Sequence, residues 1–563
     1  MKKHRRIISA LILVCMLFSL AACGSPASSG TSSGGASPGS TSSGGTSSSG
    51  GAASDSGADT PSQEPIDVSI AMWNFAEPNG NEYGERVMAK IRDEYGINMQ
   101  IVSITQADYR EKISTLAASD NLPDMFVALG WDDKLEFKKL VDQELVRAIP
   151  KELYSKYPNV NRVMEKYAYE TMPDGQMYHI PRDDRIPSDT NGDPIGFYYR
   201  KDWAEKLGYT NLDEPMTISE FGQFLTDMAQ KDPDGNGKAD TYGMGNSNGQ
   251  NNGMGFFINL IYPMFGYRPW MLEDGAWTYG LISEKAKEAT EWLHEMYLSG
   301  GLDPEFVLSD ETKLREKMST GTLGVMPYNM NLSNAKLYRT QYFEKIAPDA
   351  NIEDQIGFLP LPTMEDGKRN SAPKTYWSCT LISSKVDDAK LDRILAFYDW
   401  LCDTDGYIYA TWGEEGKDYE VVDGEYRTLL TNADGAPVQF GMAGTFALMG
   451  SLASWHLDGI PDAVDSSVTE WDKEADRVLM ETYWPYNYPV DFSKYLFTPQ
   501  LAEFDADAWA CQELVKIIMQ TTDFEADWQK YVDTLYREYN LEAVTQEVNE
   551  AAKEQGTEWT PYK

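Results

Sequence analysis

Residues 231–243 read KDPDGNGKADTYG. Oxygen-bearing side chains recur at Asp232, Asp234, Asn236 and Asp240, with Gly237 inside the turn. Hard divalent cations are held by oxygens at this spacing. In a calcium loop, positions one, three, five and nine offer side chains, position seven a backbone carbonyl, and a glycine at six permits the tight bend. Position seven here is Lys238. Position twelve, where an EF-hand carries a bidentate glutamate, is Gly243. Calcium takes six to eight ligands, so water, the Thr241 hydroxyl or a remote carboxylate must complete the shell. The preceding ISEFGQFLTDMA has apolar residues at helical spacing, which puts the loop at the end of a helix.

Catalytic constellations are sparse. A glycosidase needs two carboxylates roughly 5–10 Å apart. Glu414 and Glu415 in WGEEGKDY lie near an aromatic, but adjacent acids point to opposite faces of a strand and diverge on a helix, so they read as a solvated or backbone-capping pair. No phosphate-cradling glycine loop of the Walker type occurs. His294 sits in the helical pattern EATEWLHEMYLSGG and reads as structural. The reading is of a protein without catalytic activity.

The elements that would position a site begin at Ile66. IDVSIAMW, INMQIVSI and PDMFVALG read as strands, separated by the amphipathic segments NEYGERVMAKIRDEYG and DYREKISTLAASD. Strand and helix alternating at this spacing predict a parallel sheet covered on both faces, with ligands beyond the carboxyl ends of its strands. Trp73 with Asn74, and Trp131 with Asp132, follow two of those ends.

Upstream, Lys2, Lys3, Arg5 and Arg6 precede an apolar run from Ile7 to Ala22. A membrane-spanning helix needs roughly 20 such residues, and the pattern fits a secretory signal over residues 1–22. LAAC ends it at Cys23 and resembles the lipobox of bacterial lipoproteins, which implies an acyl (palmitate) anchor on that cysteine. Residues 23–64 are a Gly/Ser/Thr-rich tether, with a reach on the order of 35 Å. The net charge of −39, from which the signal removes four bases, argues against nucleic acid and against anionic lipid headgroups as partners. Cys379, Cys402 and Cys511 remain; one disulfide is allowed and none is required.

From about residue 66 onward the chain resembles the extracellular solute-binding proteins, family 1, of carbohydrate ABC importers, in particular their large Gram-positive lipoprotein branch. The resemblance rests on the strand–helix opening, DGQMYHIPRD (174–183), FYYRKDWAEKLG (197–208), the helix and loop up to Gly243, KMSTGTLGVM (317–326) and DRILAFYDWLCDTDGYIYATWGEEGKDY (392–419), in that order. It implies an α/β, periplasmic-binding-protein-like fold: two α/β lobes with a hinge and an interlobe ligand cleft. Lobe 1 is expected from 65–182 plus about 354–388, and lobe 2 from 183–353 plus 389–563. It also implies that the metal of the 232–240 loop is a structural calcium.

An aromatic share of 12%, with 15 Trp and 33 Tyr, suits sugars, whose C–H faces stack on rings while their hydroxyls seek polar partners. Trp73, Trp131, Tyr328 and Trp377 are the candidate stacking rings; the family places a cleft aromatic near Tyr328. Asn74, Asp132, Arg182, Asp183 and Asn329 are the candidate polar contacts. An acidic glycan would need Arg182, Arg185 or Lys374 turned inward. The expectation is a monomeric, lipid-anchored, extracellular binding subunit delivering an oligosaccharide to ABC permease subunits. Peptide or polyamine binding, an extracellular glycosidase, and a glycan binder coupled to a sensor remain the alternatives.

Overall fold

The computed structural model describes residues 64–78, 82–105, 108–129, 134–172, 174–185, 195–247, 253–371, 378–422, 425–431, 452–457, 468–488, 496 and 498–557. Strands β1 (Ile66–Trp73), β2 (Ile97–Ile104), β3 (Met125–Leu129) and β4 (His179–Pro181) open the chain and are followed by a short β5 (Asp183–Arg185). Next come β6 (Ile195–Arg200) and β7 (Tyr242–Met244), a hairpin of β8 (Trp270–Glu273) and β9 (Ala276–Tyr279), then β10 (Leu323–Asn329) and β11 (Ile356–Leu359). β12 (Ser378–Ile382), the hairpin β13 (Tyr419–Val422) with β14 (Glu425–Thr428), and β15 (Ser454–Leu457) complete the strands.

Two sheets organise these elements. The first runs β2-β1-β3-β12-β4. β1 is parallel to β2 and β3, while β12 is antiparallel to both β3 and β4. The wholly parallel sheet expected from the first three strands is therefore interrupted by a strand arriving from far downstream. Position explains composition: β1 is interior and buries Val68 and Ile70 to Trp73, whereas β2 is an edge whose Ile97 and Met99 are buried while Asn98 and Gln100 face solvent. The second sheet runs β11-β6-β10-β7. Pro327 cannot donate to a ladder; β7 pairs only with Leu323 and Val325, so the proline lies beyond its end.

Each sheet has its own core. The first packs Val68, Ile70, Val127, Ile180 and Leu381 with Leu391, Ile394, Phe397 and Leu401. The second packs Phe197, Phe221, Met244, Val325 and Phe358 with Leu479, Leu514, Leu535 and Val548.

Two segments differ from expectation. Ile356–Leu359, assigned to lobe 1 within 354–388, is an edge of the second sheet and pairs antiparallel with β6 from Ile356↔Arg200 to Leu359↔Phe197. Helices Asp388–Cys402 and Thr404–Trp412, assigned to lobe 2 within 389–563, contribute to the first core, as do Leu452 and Ala453. The reason is reach. Only five residues separate β12 from Asp388, a span of at most roughly 17 Å, so the apolar face of this helix is buried on the sheet it has just left. From helix Glu470–Thr482 onward the helices do pack on the second core.

The chain thus passes between the cores three times: after Arg182, between Leu359 and Ser378, and between Ala453 and Glu470. The first and third passages are paired to each other. β5 and β15 run parallel, with Ser454 opposite Asp183 and Leu457 opposite Arg185.

Helix Glu470–Thr482 is pinned where it lands. Thr469 and Asp472 form a capping box at its start. Trp471 Nε1 donates to the Ile356 carbonyl at 2.8 Å, and the Tyr483 hydroxyl donates to the Leu359 carbonyl at 2.8 Å while accepting from the Phe197 amide at 3.2 Å. Arg339 grips the fully buried Asp472 through Nε at 3.0 Å and Nη2 at 2.7 Å, and reaches Glu344 at 2.7 Å. Cys379, Cys402 and Cys511 are buried, and burial, with Asp507 nearby, pushes the Cys511 thiol up to about 12. Removing one partner of a buried ion pair leaves an uncompensated charge. Arg339→Met is expected to destabilise the fold by about 3–5 kcal/mol, read as a lower urea midpoint; Arg339→Met with Asp472→Leu should recover a large part of the loss.

Candidate functional site

The strand registers bring particular residues to the ends of the sheets where the chain crosses. In the first sheet Leu129 lies opposite Ser378 and Pro181 opposite Cys379, so the end of β3, the start of β12 and the end of β4 share one edge. The Arg182 amide donates to the Ser378 carbonyl at 3.0 Å. β1 ends at the same edge: the Arg182 guanidinium lies 5.4 Å from the Trp73 ring centroid. Asn74 follows, exposed and in the left-handed region at φ +56°, a conformation asparagine tolerates better than most residues, with its amide donating to the Ile104 carbonyl at 2.8 Å. In the second sheet Asn329 lies opposite Ile195, where the first crossing enters, and Leu359 opposite Phe197, where the second leaves. The crossings therefore run between two strand-end edges, one carrying Trp73, Asn74 and Arg182, the other Asn329.

Three expected ligand contacts are placed differently from an open binding surface. Trp73 is 4% exposed; the cation of Arg182 covers its face and Tyr109 meets it edge-on at 5.7 Å and 89°. The Tyr109 hydroxyl is tied to the Ala71 and Val127 carbonyls, which locks this cluster into the sheet. Arg182 is itself 1% exposed, so it underlies the edge instead of projecting from it. Tyr328, also 1% exposed, belongs to the second core: its hydroxyl accepts from Arg315 at 2.5 Å and donates to Asn334 Oδ1 at 3.1 Å, and Arg315 lies between the rings of Tyr328 and Tyr342. Burial pushes the Tyr328 phenol up to about 12. The strand is the cause: β10 lies between β6 and β7 and is buried on both faces from Leu323 to Tyr328; Asn329, one residue on, is half-buried at the edge, and its carbonyl accepts from the Tyr198 hydroxyl at 2.8 Å. Asp183 is described as the first residue of β5 by its backbone alone. Trp131, Asp132 and Trp377, with Arg185's side chain and Lys374, lie outside what the structure describes.

Of the two acids considered for glycoside chemistry, Glu414 is engaged in the first lobe. Arg86 binds both oxygens of the buried Asp418, at 2.9 and 2.8 Å, and reaches Glu414 at 2.5 Å. The hydrogen bond from Arg86 holds the Glu414 carboxyl below its usual range. His294 is structural as expected, bonded through Nδ1 to the Ile518 carbonyl at 2.9 Å and stacked on Phe524. The run WPYNY (484–488) is absent from the expected contacts, although its aromatics were an available signal. Tyr486 and Tyr488 each carry an arginine on their ring, Arg369 and Arg268 respectively, both at 4.8 Å.

The 232–240 loop follows helix Ile218–Gln230. Gly235 and Gly237 have φ +75° and +78°, which bends the chain back on itself. The Asn236 amide donates to Asp234 at 2.5 Å and to Asp240 at 3.0 Å, the Gly237 amide donates to Asp232 at 3.1 Å, and the Lys238 amide to the Asn236 side-chain oxygen at 2.8 Å. Asp234 and Asp240 thus converge on Asn236, while Asp232 turns onto the backbone. Among the described residues, no group of three or more His, Cys, Asp or Glu side chains stands at metal-holding separation. The donor set, oxygen throughout on a glycine-bent loop, fits a hard cation; the side chains here are closed on the loop's own N–H groups.

Two α/β units joined by paired crossing strands, with their strand ends meeting at the crossings, define a periplasmic-binding-protein-like fold. Residues 86–416, more than half of the chain, match the family of bacterial extracellular solute-binding proteins, and the chain belongs to that family. It is 25% identical over 381 residues to lipoprotein LipO of Bacillus subtilis, covering 67% of this chain and 72% of LipO. The polygalacturonan/rhamnogalacturonan-binding protein YtcQ of the same organism is 26% identical over 275 residues, 47% of this chain and 49% of YtcQ. The Streptococcus pneumoniae ABC-transporter substrate binding protein FusA, solved in complex with kestose, superposes at a TM-score of 0.61 with 18% identity, over 87% of this chain and 100% of FusA. An EF-hand mutant of FusA with fructo-nystose gives 0.60 at 19% identity, over the same shares.

The sealed position of Trp73 has a measurable consequence. Trp73→Ala removes a large buried ring and is expected to cost about 3–5 kcal/mol of folding free energy, read in urea; a purely surface platform would leave the midpoint unchanged.

Proposed function

We propose that this chain is the ligand-capturing subunit of a carbohydrate ABC importer, anchored through a lipid on Cys23 and tethered outside the membrane by residues 23–64. The observation that carries this reading is the pairing of β5 with β15 between two strand-end edges, an arrangement suited to hinge closure over a ligand. Its kinship with YtcQ and FusA, named for polysaccharide binding and solved with kestose respectively, supports a glycan as that ligand. Among the described residues no helix is long and apolar enough to cross a membrane, which fits attachment by lipid.

In this mechanism the glycan enters while the lobes stand apart. Asn74 and Asn329 offer amides from the two edges, and Asp183, Asp132, Trp131 and Trp377 complete the contacts from the segments next to them. Arg182 and Trp73 form the floor beneath, holding the end of β1 against β4. Closure excludes water, and the closed form is delivered to permease subunits. The chain acts as a monomer and turns over no bond. The affinity it displays depends on the closed population before binding.

The loop at 232–240 is proposed to hold a structural calcium through the Asp232, Asp234, Asn236 and Asp240 side chains and the Lys238 carbonyl. The ion would neutralise three carboxylates at the end of a core helix. Occupation requires the Asn236 amide to turn its oxygen inward.

A thermal melt against oligosaccharide and uronate panels tests the first reading. A bound glycan at about 100 times its Kd should add about 2.7 kcal/mol, a rise of a few degrees, with no new reducing ends after overnight incubation. Silence across the panel, or the appearance of reducing ends, would overturn it, and peptides and polyamines would be screened next. For the metal, chelation should lower the melting temperature reversibly, with calcium restoring it, and Asp232→Asn with Asp240→Asn should abolish that response. An unchanged melt on chelation would sink the calcium assignment.

A further inference from the structure

Arg369 and Tyr486 stand out once the acidic balance of the chain is considered. Asp and Glu number 88 against 49 Lys and Arg, so an arginine in this chain finds a carboxylate easily. Arg369 has none among the described residues. Its one hydrogen bond there is to the neutral Tyr486 hydroxyl, at 3.2 Å from Nη1, and its guanidinium lies over the same ring at 4.8 Å. A guanidinium carries five N–H donors in a planar fork. The contact with Tyr486 holds the fork while using one of its donors, and Arg369 is half-buried, so the rest of the fork is still accessible.

The pair adjoins the start of the second crossing. Arg369 precedes the second crossing: Asn370 and Ser371 are buried, Asn370 Nδ2 donates to the Pro263 carbonyl at 3.1 Å, and the Ser371 amide donates to the Tyr486 carbonyl at 3.0 Å. Tyr486 lies three residues after Tyr483, whose hydroxyl closes the crossing end of the second sheet between Phe197 and Leu359. Two residues on, Tyr488 carries the Arg268 guanidinium, adding a second positive charge to the same aromatic strip.

We infer that Arg369, oriented by Tyr486 and reinforced by the charge of Arg268, forms a carboxylate-reading subsite, and that the glycan of the proposed function bears uronic acid residues. This rests on the glycan-capture reading and narrows it. A planar carboxylate matches the fork through two parallel N–H donors, whereas a neutral sugar hydroxyl engages one donor at a time. The role that an acidic glycan would have required of Arg182 falls to Arg369, because Arg182 is sealed against Trp73.

Isothermal titration of the mature chain with trigalacturonate, neutral maltotriose, monomeric galacturonate and sodium sulfate tests the inference. Wild type should bind trigalacturonate at least about tenfold tighter than the neutral trimer, with the preference shrinking as salt is raised. Arg369→Gln should weaken trigalacturonate about 10- to 100-fold, the range for hydrogen bonds to a charged group, and bring the two trimers to similar affinity. Arg369→Lys, which keeps the charge and loses the fork, should fall between, and it decides the question if the glutamine variant folds poorly. Equal binding of both trimers by wild type, or a uronate preference that survives Arg369→Gln and Arg369→Lys, would overturn the inference while leaving glycan capture standing. Sulfate binding as tight as the uronate trimer would mark a general anion site and overturn it as well. No binding of any sugar would defeat the glycan reading and this inference together.

Discussion

β12 lies between β3 and β4, and the first lobe is organised around that insertion. Among the described strands β4 pairs with β12 alone, so His179–Pro181 joins the sheet through Cys379–Leu381, which arrives from about two hundred residues downstream. Once β12 is in place, the end of β4 and the start of β12 are tied by the Arg182–Ser378 bond, and the second and first crossings are fixed to one edge. Helix Asp388–Cys402 then has no room to go elsewhere and closes the core over the sheet. The second lobe is a consequence: everything between β4 and β12 must fold as an excursion that begins and ends at that edge.

Rigid lobes are what make such an arrangement useful. On the second lobe the landing helix of the third crossing is held by a capping box, an indole, a phenol and a buried ion pair, so it moves with its sheet. On the first, Arg182 and Tyr109 wedge Trp73 so that the end of β1 cannot flex. Between them the described residues show a parallel strand pair of only a few residues with a register shift. A hinge of this sort concentrates backbone rotation in few positions and leaves the packed cores unchanged.

Much of the fold was legible in the residues, and the failures have physical reasons. β1 and β2 were readable because an interior strand is continuously apolar and an edge strand alternates, and IDVSIAMW and INMQIVSI show those two patterns. β11 was misassigned because IGFL, four apolar residues, satisfies either sheet; only its ladder with β6 decides. Tyr328 was placed one residue too near the strand's end: β10 is covered on both faces as far as Tyr328, and the sequence does not reveal where that cover stops. Trp73 differs for another reason: it is the last residue of β1 itself, and the partner that seals it, Arg182, is more than a hundred residues away. The calcium-like loop was visible because its donors are local. The Arg369–Tyr486 contact was not, for the same reason that β12's partners were not: the residues that meet are distant in the chain.

The insertion of β12 also sets the order in which the first lobe can be assembled. In a chain that emerges N-terminus first, β3 appears while its far edge still has no partner. That open ladder must wait while the whole second lobe, residues 195–359, is threaded through and folded. An unpaired interior strand is a template for pairing with another chain. During this interval the nascent first lobe is the vulnerable part of the molecule, and the speed at which the chain emerges past residue 382 governs how long that vulnerability lasts.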